Sequence, residues 1–394
     1  MKIFLIGISD SREQRLSEEV QEVIRSHRHF SGGRRHHEIM RPFLPTEHDW
    51  IDIIPPIDDQ IRSYGRYENM VVVASCDPIF NGIGQRIMEL HPGAEITLFP
   101  HFHSLQMLAH AALLPYQDMH VVSLTGRPWR ALDEALICGE RMIGILTDLR
   151  HHTPRTIAER MIAYRYDNYV AYVGEHLGNR EEQRVSRLSL EEMRERDFGY
   201  PNNLILLRTR AQERPFGIPD EAFVPLEGRP RMITKSPIRL QSLSLLGLHQ
   251  AQTLWDVGSC TGSVSIEARL QFPHLSVIAF EIRPEGGALL ETNARRLHAP
   301  GIDFVPGDFL EADLSALPTP DAVFIGGHGG RLPEMIRRIY PLLPGGGRIV
   351  FNSVSDESRQ LFLSSLADVG TGLSEETLMA VDHFNPIHVM QATK

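Results

Sequence analysis

The chain has 394 residues, enough for two or three domains with cores of their own, so a small stapled module is excluded. Hydrophobic residues make up 42% and charged residues 23%, close to globular averages, which excludes a disordered or low-complexity chain. The 40 Lys+Arg against 50 Asp+Glu give a formal charge of −10, which argues against a surface built as a whole to hold nucleic acid.

Met1–Gly7 has one basic residue and a short apolar run, and reads as a first strand rather than a signal peptide. Lys2–Ile6, Met70–Ala74, Glu95–Phe99, His120–Leu124 and Met142–Thr147 read as strands. Ser17–Ser26, Gly82–Leu90, Ser104–Leu113 and Trp129–Ile137 read as the helices between them, so an α/β layered half is predicted. Thr153–Tyr164 follows as a helix with Thr153 at the N-cap and Pro154 at its first position. Two further strands, Tyr169–Gly174 and Asn203–Arg208, flank a charged helical piece at Ser189–Arg196. Thr209–Pro219 lacks apolar periodicity and carries two prolines, which places a domain boundary there. No apolar run approaches the roughly 20 residues that span a bilayer. The three widely spaced cysteines, Cys76, Cys138 and Cys260, suit a reducing compartment, so a cytoplasmic location without membrane contact is expected.

From Thr253 a second alternating series begins. Thr253–Val257, Leu275–Glu281, Ile302–Val305, Asp321–Ile325 and Arg348–Asn352 are predicted strands, and Thr377–Asp382 with Pro386–Ala392 a closing antiparallel pair. The first of these strands runs through Asp256 into a turn with Gly258, Thr261 and Gly262, then into a helix over Val264–Leu270. Glycines there let backbone pass close to a ligand. Glu281 ends the next strand about 20 residues on, where a carboxylate can accept from both ribose hydroxyls, and Asp308 follows the third. The loop lacks the G-x-G-x-x-G of a pyrophosphate site. An acid ahead of the turn suits a cationic, phosphate-free ligand such as S-adenosyl-L-methionine (SAM).

The runs Asp256–Glu267 (DVGSCTGSVSIE), Glu281-Ile282-Arg283, Gly307-Asp308 and Asp321–Gly327 (DAVFIGG) resemble the class I methyltransferase half of the precorrin-6Y C5,15-methyltransferase (decarboxylating) family. The lead-in Met232–Arg239 is similar to that family's as well. In the first half, Ser75-Cys76-Asp77-Pro78 resembles the S-G-D-P loop of the tetrapyrrole methylases. Gly7–Asp10, Ser123–Pro128 and Val173–Gly178 agree with it. The chain departs from that pattern in having Cys76 for glycine, Ser9-Asp10-Ser11 for a Pro-Gly pair, and Pro100–Ser104 (PHFHS) after the third strand.

The resemblance implies a two-lobed tetrapyrrole methylase domain over 1–210, a linker over 211–230 and a Rossmann-like class I methyltransferase over 231–394. It further implies SAM as cofactor, methylation of a precorrin or cobalt-precorrin at C5 and C15, and loss of CO2 from the C12 acetate, in cobalamin biosynthesis. Tetrapyrrole methylases are often dimers, so a homo-oligomer is possible on the same ground. Gly7, Asp77, Pro78, Gly82 and Ser104 would hold SAM in the first domain, and Asp256, Gly258, Thr261, Gly262, Glu281 and Asp308 in the second. Two rival readings are a SAM-silent N-terminal docking domain and an RNA or protein methyltransferase.

A polycarboxylate substrate calls for local cations. Arg231, Lys235 and Arg239 are spaced by four, so a helical turn would put them on one face as carboxylate holders. Arg34 and Arg35 are a similar candidate set in the first half. His328, in a loop with four glycines past the fourth strand, is a candidate contact for the leaving carboxylate, and Arg239 is the second candidate catalytic residue. The pairs His36-His37, His101-x-His103 and His151-His152 lack further zinc-spaced ligands, so no metal is expected.

Overall fold

The computed structural model of the chain describes residues 1–381 and 385–394. It divides into two compact units. The first comprises Met1–Pro128, Glu140–Glu159 and Asn168–Arg210, and the second Trp129–Gly139, Arg160–Asp167 and Ala211–Lys394.

Unit 1 holds two five-stranded sheets. In the first, β1 (Lys2–Ile8), β2 (His29–Gly32), β3 (Asp49–Asp52), β4 (Asn69–Ser75) and β5 (Glu95–Phe99) are all parallel in the order β3-β2-β4-β1-β5. In the second, β6 (His120–Ser123), β7 (Met142–Leu146), β8 (Tyr169–Glu175), β9 (Arg184–Leu188) and β10 (Asn202–Arg208) run β6-β7-β10-β8-β9. Only the β6–β7 pair is parallel. β1 and β4 form the middle of the first sheet, and their Ile, Leu and Val side chains fill cores on both faces. The sequence reading finds neither β2, β3 nor β9. The first two are four residues long and partly polar, and β9 is a charged edge strand.

Unit 2 holds a seven-stranded sheet of β11 (Thr253–Val257), β12 (Ser276–Glu281), β13 (Ile302–Pro306), β14 (Ala322–Ile325), β15 (Arg348–Ser353), β16 (Leu373–Met379) and β17 (Ile387–Thr393). Their order is β13-β12-β11-β14-β15-β17-β16, parallel except at β17. The chain order therefore reverses between β11 and β14, which opens a crevice at their carboxyl ends. The closing pair is found, with its first strand at Leu373–Met379 rather than Thr377–Asp382; Asp382 lies outside the described residues.

Two boundary expectations change. Residues 211–230 are no loose linker: Ile218, Phe223 and Leu226 are buried, and the Gly217 and Ile218 N–H groups donate to Glu267 at 2.9 Å each. Trp129–Gly139 and Arg160–Asp167 group with unit 2 because Ile137 and Tyr164 share a core with Ile218, Ile266 and Leu290. No helix among the described residues is long and apolar enough to cross a membrane.

Candidate active site

Each unit carries a cavity at the carboxyl ends of its parallel strands. The one in unit 2 encloses about 590 Å³, in the range of small-molecule sites. At its floor the loop after β11 meets the loop after β14. Gly258 has φ +80°, and a Cβ there would lie 2.7 Å from the Gly327 backbone nitrogen, so only glycine lets the two loops approach this closely. Gly326 N–H donates to Val257 O at 2.8 Å and ties them together. Gly262, at φ +74°, turns the chain into the helix Ser263–Gln271 and supports the cavity without lining it.

Asp256 is 1% exposed. Its Oδ2 accepts from Ser265 N–H and Oγ–H at 3.1 and 2.6 Å, while its Oδ1 is buried without a partner among the described residues. Burial pushes its pKa up to about 6. The hydroxyls of Ser259 and Thr261 are likewise buried and unmatched. Three orphaned polar atoms, one of them a carboxylate oxygen, line one cavity. Buried polar groups are ordinarily paired, so this is a donor and acceptor set shaped for a polar, cationic ligand. The arrangement fits SAM.

Glu281, at the end of β12, accepts from the Cys260 N–H at 2.8 Å, the Arg283 N–H at 3.0 Å and the Arg283 guanidinium at 2.8 Å. A carboxylate has four lone-pair positions, so capacity for a ribose hydroxyl remains. Asp308 accepts from Leu310 N–H and from Arg331 Nη1, both within 2.9 Å. His328 lines the same cavity, packs edge-on against Phe351 and accepts the Gly330 N–H on Nδ1; burial lowers its pKa, which keeps the ring neutral.

The expected basic set does not hold together. The helix starts at Ser236, so Arg231 lies in the preceding turn and the three side chains do not share a helical face. Arg231 and Lys235 line the cavity, Lys235 with its ammonium 3.3 Å from Asp220. Arg239 is fully buried away from it. Its Nε pairs with the equally buried Glu267 at 3.1 Å, its Nη1 donates to Thr234 O, and its Nη2 donates to Ile218 O. Neither a catalytic nor a substrate-holding role survives this placement. Arg283, Arg331, Ile282 and Val354 also line the cavity; Ile282 and Arg283 stand in the Glu281-Ile282-Arg283 motif without a site role, and Arg331 and Val354 were not singled out from the sequence. The position of Arg283, two residues past the strand-end acid, was the available signal.

The cavity of unit 1 encloses about 430 Å³ and collects the ends of β1, β2 and β4 from one sheet and residues 200–203 and Thr147 from the other. Asp77, Gly82 and Ser104 line it; Gly7 and Pro78 do not. Gly7 backs it, because a Cβ there would collide with Cys76 O at 1.7 Å. Cys76 does not take an extended conformation: it sits at φ +54°, the left-handed region that glycine enters at least cost. Burial pushes its thiol up to about 11, which leaves it unreactive at neutral pH. The Asn203 side-chain oxygen, buried and unmatched, is an acceptor waiting for a ligand N–H.

Arg35 reaches this cavity and Arg34 does not. The Arg34 side chain is 78% exposed and faces Asp52 at 3.7 Å. Arg35 donates to Asp10 at 2.7 Å, and His176 Nδ1 lies 3.2 Å from the same carboxylate. Asp10, His176 and Glu182 bring ligand atoms within 4.8 Å of one another, with the Arg35 cation already on Asp10.

Two strand-end clefts with glycine turns, acids and orphaned polar atoms define a SAM-dependent methyltransferase. The tetrapyrrole (corrin/porphyrin) methylase model matches residues 2–194 and the precorrin methyltransferase domain model residues 228–393. Precorrin-6Y C(5,15)-methyltransferase (decarboxylating) of Sinorhizobium sp is 30% identical over 377 residues, 94% of this chain and 88% of that protein. The cobalt-precorrin-6B C(15)-methyltransferase (decarboxylating) of Salmonella typhimurium is 39% identical over 187 residues, 44% of this chain and 95% of that protein. A crystal structure of precorrin-6Y C5,15-methyltransferase from Geobacter metallireducens GS-15 is 32% identical and covers 46% of this chain and all of that one, with a TM-score of 0.43. The chain belongs to the precorrin-6Y C(5,15)-methyltransferase (decarboxylating) family.

Proposed function

We propose that the chain methylates a precorrin at C5 in the cavity of residues 1–210 and at C15 in that of residues 231–394, where the C12 acetate also loses CO2. The observation that carries this is the presence of two separate strand-end cavities, each with an acid at its turn and an unmatched buried acceptor. SAM, when bound, supplies an electrophilic methyl group on a sulfonium. Asp256 Oδ1 and the Ser259 and Thr261 hydroxyls hold its polar end in unit 2; Asp77 and Asn203 line the corresponding place in unit 1.

An electron-rich ring carbon attacks without a strong base, so the residues act chiefly by alignment. Arg231, Lys235, Arg283 and Arg331 offer N–H donors for the carboxylates of the ring. Ile282 and Val354, both more than half exposed at the cavity, give its apolar surface a place to lie. The electrons left by departing CO2 pass into the conjugated ring, and neutral His328 places an uncharged wall beside them. We assign the protein to the cytoplasm.

The test is a mass spectrum of the tetrapyrrole after anaerobic incubation with SAM and a precorrin-6 or cobalt-precorrin-6 type substrate. A gain of two methyl groups with loss of one CO2 is expected. One methyl with CO2 loss would silence the N-terminal cavity, and no change in mass would sink the reading.

A further inference from the structure

At the end of β4, Ser75 sits at the wall of the N-terminal cavity with its hydroxyl oxygen already saturated by donors. Arg35 Nη2 lies 3.1 Å from Ser75 Oγ and His36 Nε2 lies 2.8 Å from it. The direction of the second bond follows from the other side of the ring. Gly33 N–H can only donate, and it points at His36 Nδ1 from 3.2 Å, so Nδ1 is the acceptor and the neutral imidazole carries its hydrogen on Nε2. Burial, with Arg35 beside it, lowers the His36 pKa to about 4, so the ring stays neutral at physiological pH.

A hydroxyl has two lone pairs and one hydrogen. With both lone pairs occupied, Ser75 has only its hydrogen left to offer, and no hydrogen bond given by it is found among the described residues. The same geometry excludes a serine–histidine proton relay, because neither ring nitrogen is free to take the serine proton.

We propose that Ser75 presents this O–H as a fixed donor to a carboxylate on the ring of the substrate, with His36 as the residue that positions it. Arg35 completes the site. Its guanidinium is 38% exposed and shares its charge with Asp10, so a substrate carboxylate meets one hydroxyl and one cationic edge side by side. The methionine carboxylate of SAM has the same chemistry, and the experiment separates the two. The inference rests on the reading that this cavity takes a precorrin.

The full chain is assayed with SAM and the tetrapyrrole substrate, scoring methyl groups at C5 and C15 separately. SAM binding at the N-terminal cavity and the melting curve of the full chain report whether unit 1 is folded in each variant, and C15 methylation reports unit 2. Ser75→Ala should raise KM for the C5 step roughly tenfold or more, the scale of a hydrogen bond to a charged group, with SAM affinity and C15 methylation unchanged. His36→Leu should follow it, and His36→Gln, which keeps an N–H donor, should restore most of the loss. An unchanged KM in Ser75→Ala overturns the proposal, as does a loss of SAM affinity with KM intact, which would assign the carboxylate to SAM. If the parent chain transfers no methyl to C5, the functional reading falls and the proposal with it; if it transfers one and Ser75→Ala does too at the same KM, only the proposal falls.

Discussion

Arg239 and Glu267 are both 0% exposed in their side chains and lie 3.1 Å apart, with Asp220 3.5 Å from the same guanidinium, so removing Arg239 leaves Glu267 as an uncompensated charge in the core of unit 2. Breaking a buried pair from one side costs about 3–5 kcal/mol. The local geometry favours the lower end for Arg239→Leu, because Glu267 keeps the Gly217 and Ile218 N–H groups at 2.9 Å each. A loss of about 3 kcal/mol in a unit of this size lowers Tm by roughly 6–12 °C. Calorimetric melting of the full chain reads the shift. Adding Glu267→Gln removes the stranded charge while its amide oxygen still accepts a backbone N–H, and should recover at least half of the loss. A melting point within about 2 °C of the parent, or a raised substrate KM at unchanged Tm, would refute the structural role and return Arg239 to the substrate.

Two further outcomes bear on the cofactor cleft of unit 2. The pKa of Asp256 is raised on folding to about 6 by burial, so both states hold its proton below about pH 4 and the group costs nothing there. Between about pH 4 and 6 the unfolded state ionises it while the native state keeps its proton, so the cost grows to roughly 3 kcal/mol and stays there at neutral pH, where the native state carries the charge in the core. A cationic ligand at the unmatched Oδ1 offsets that cost, so calorimetric SAM affinity in this cleft should strengthen about tenfold from pH 5 to pH 7. The profile should be flat in Asp256→Asn, and a flat profile in the parent would remove Asp256 from the site. Gly258→Ala puts a Cβ 2.7 Å from the Gly327 nitrogen at a φ of +80°, where L-residues lose about 1–2 kcal/mol even with space available. It should reduce SAM stoichiometry from two sites per chain to one and abolish C15 methylation alone; two sites in the variant would contradict the loop contact.

The fold is legible in the sequence where a local pattern suffices. The strand Met70–Ala74 lies within β4 because an unbroken run of apolar residues at a sheet centre needs no partner to announce it. Asp256, Gly258 and Glu281 come together at one cavity because each lies at a strand end or in the turn beyond, and the parallel register of β11 with β12 brings those ends side by side. β2 and β3 are illegible because their four-residue runs acquire strand character only on pairing with one another and, for β2, with β4. The error at Arg239 has the same origin. Spacing by four predicts a shared face only if the helix extends over all three residues, and it begins after Lys235. Its true partner, Glu267, is 28 residues away, and only the packing of two helices against residues 217–234 reveals it.

Four of the cations at the two cavities share a property that counting charges hides. Arg35 lies 2.7 Å from Asp10, Lys235 3.3 Å from Asp220, Arg283 2.8 Å from Glu281 and Arg331 2.8 Å from Asp308. Each charge is therefore largely cancelled at long range, in keeping with a chain of net charge −10, and draws a polycarboxylate in only weakly. What the pairing supplies is position. A guanidinium held by one carboxylate retains N–H donors in a fixed plane, and its side-chain entropy has already been lost before substrate arrives. Such a surface selects a ring by whether its carboxylates fall opposite the remaining donors rather than by how many it carries, which suits an enzyme that must tell one intermediate from others of nearly the same charge.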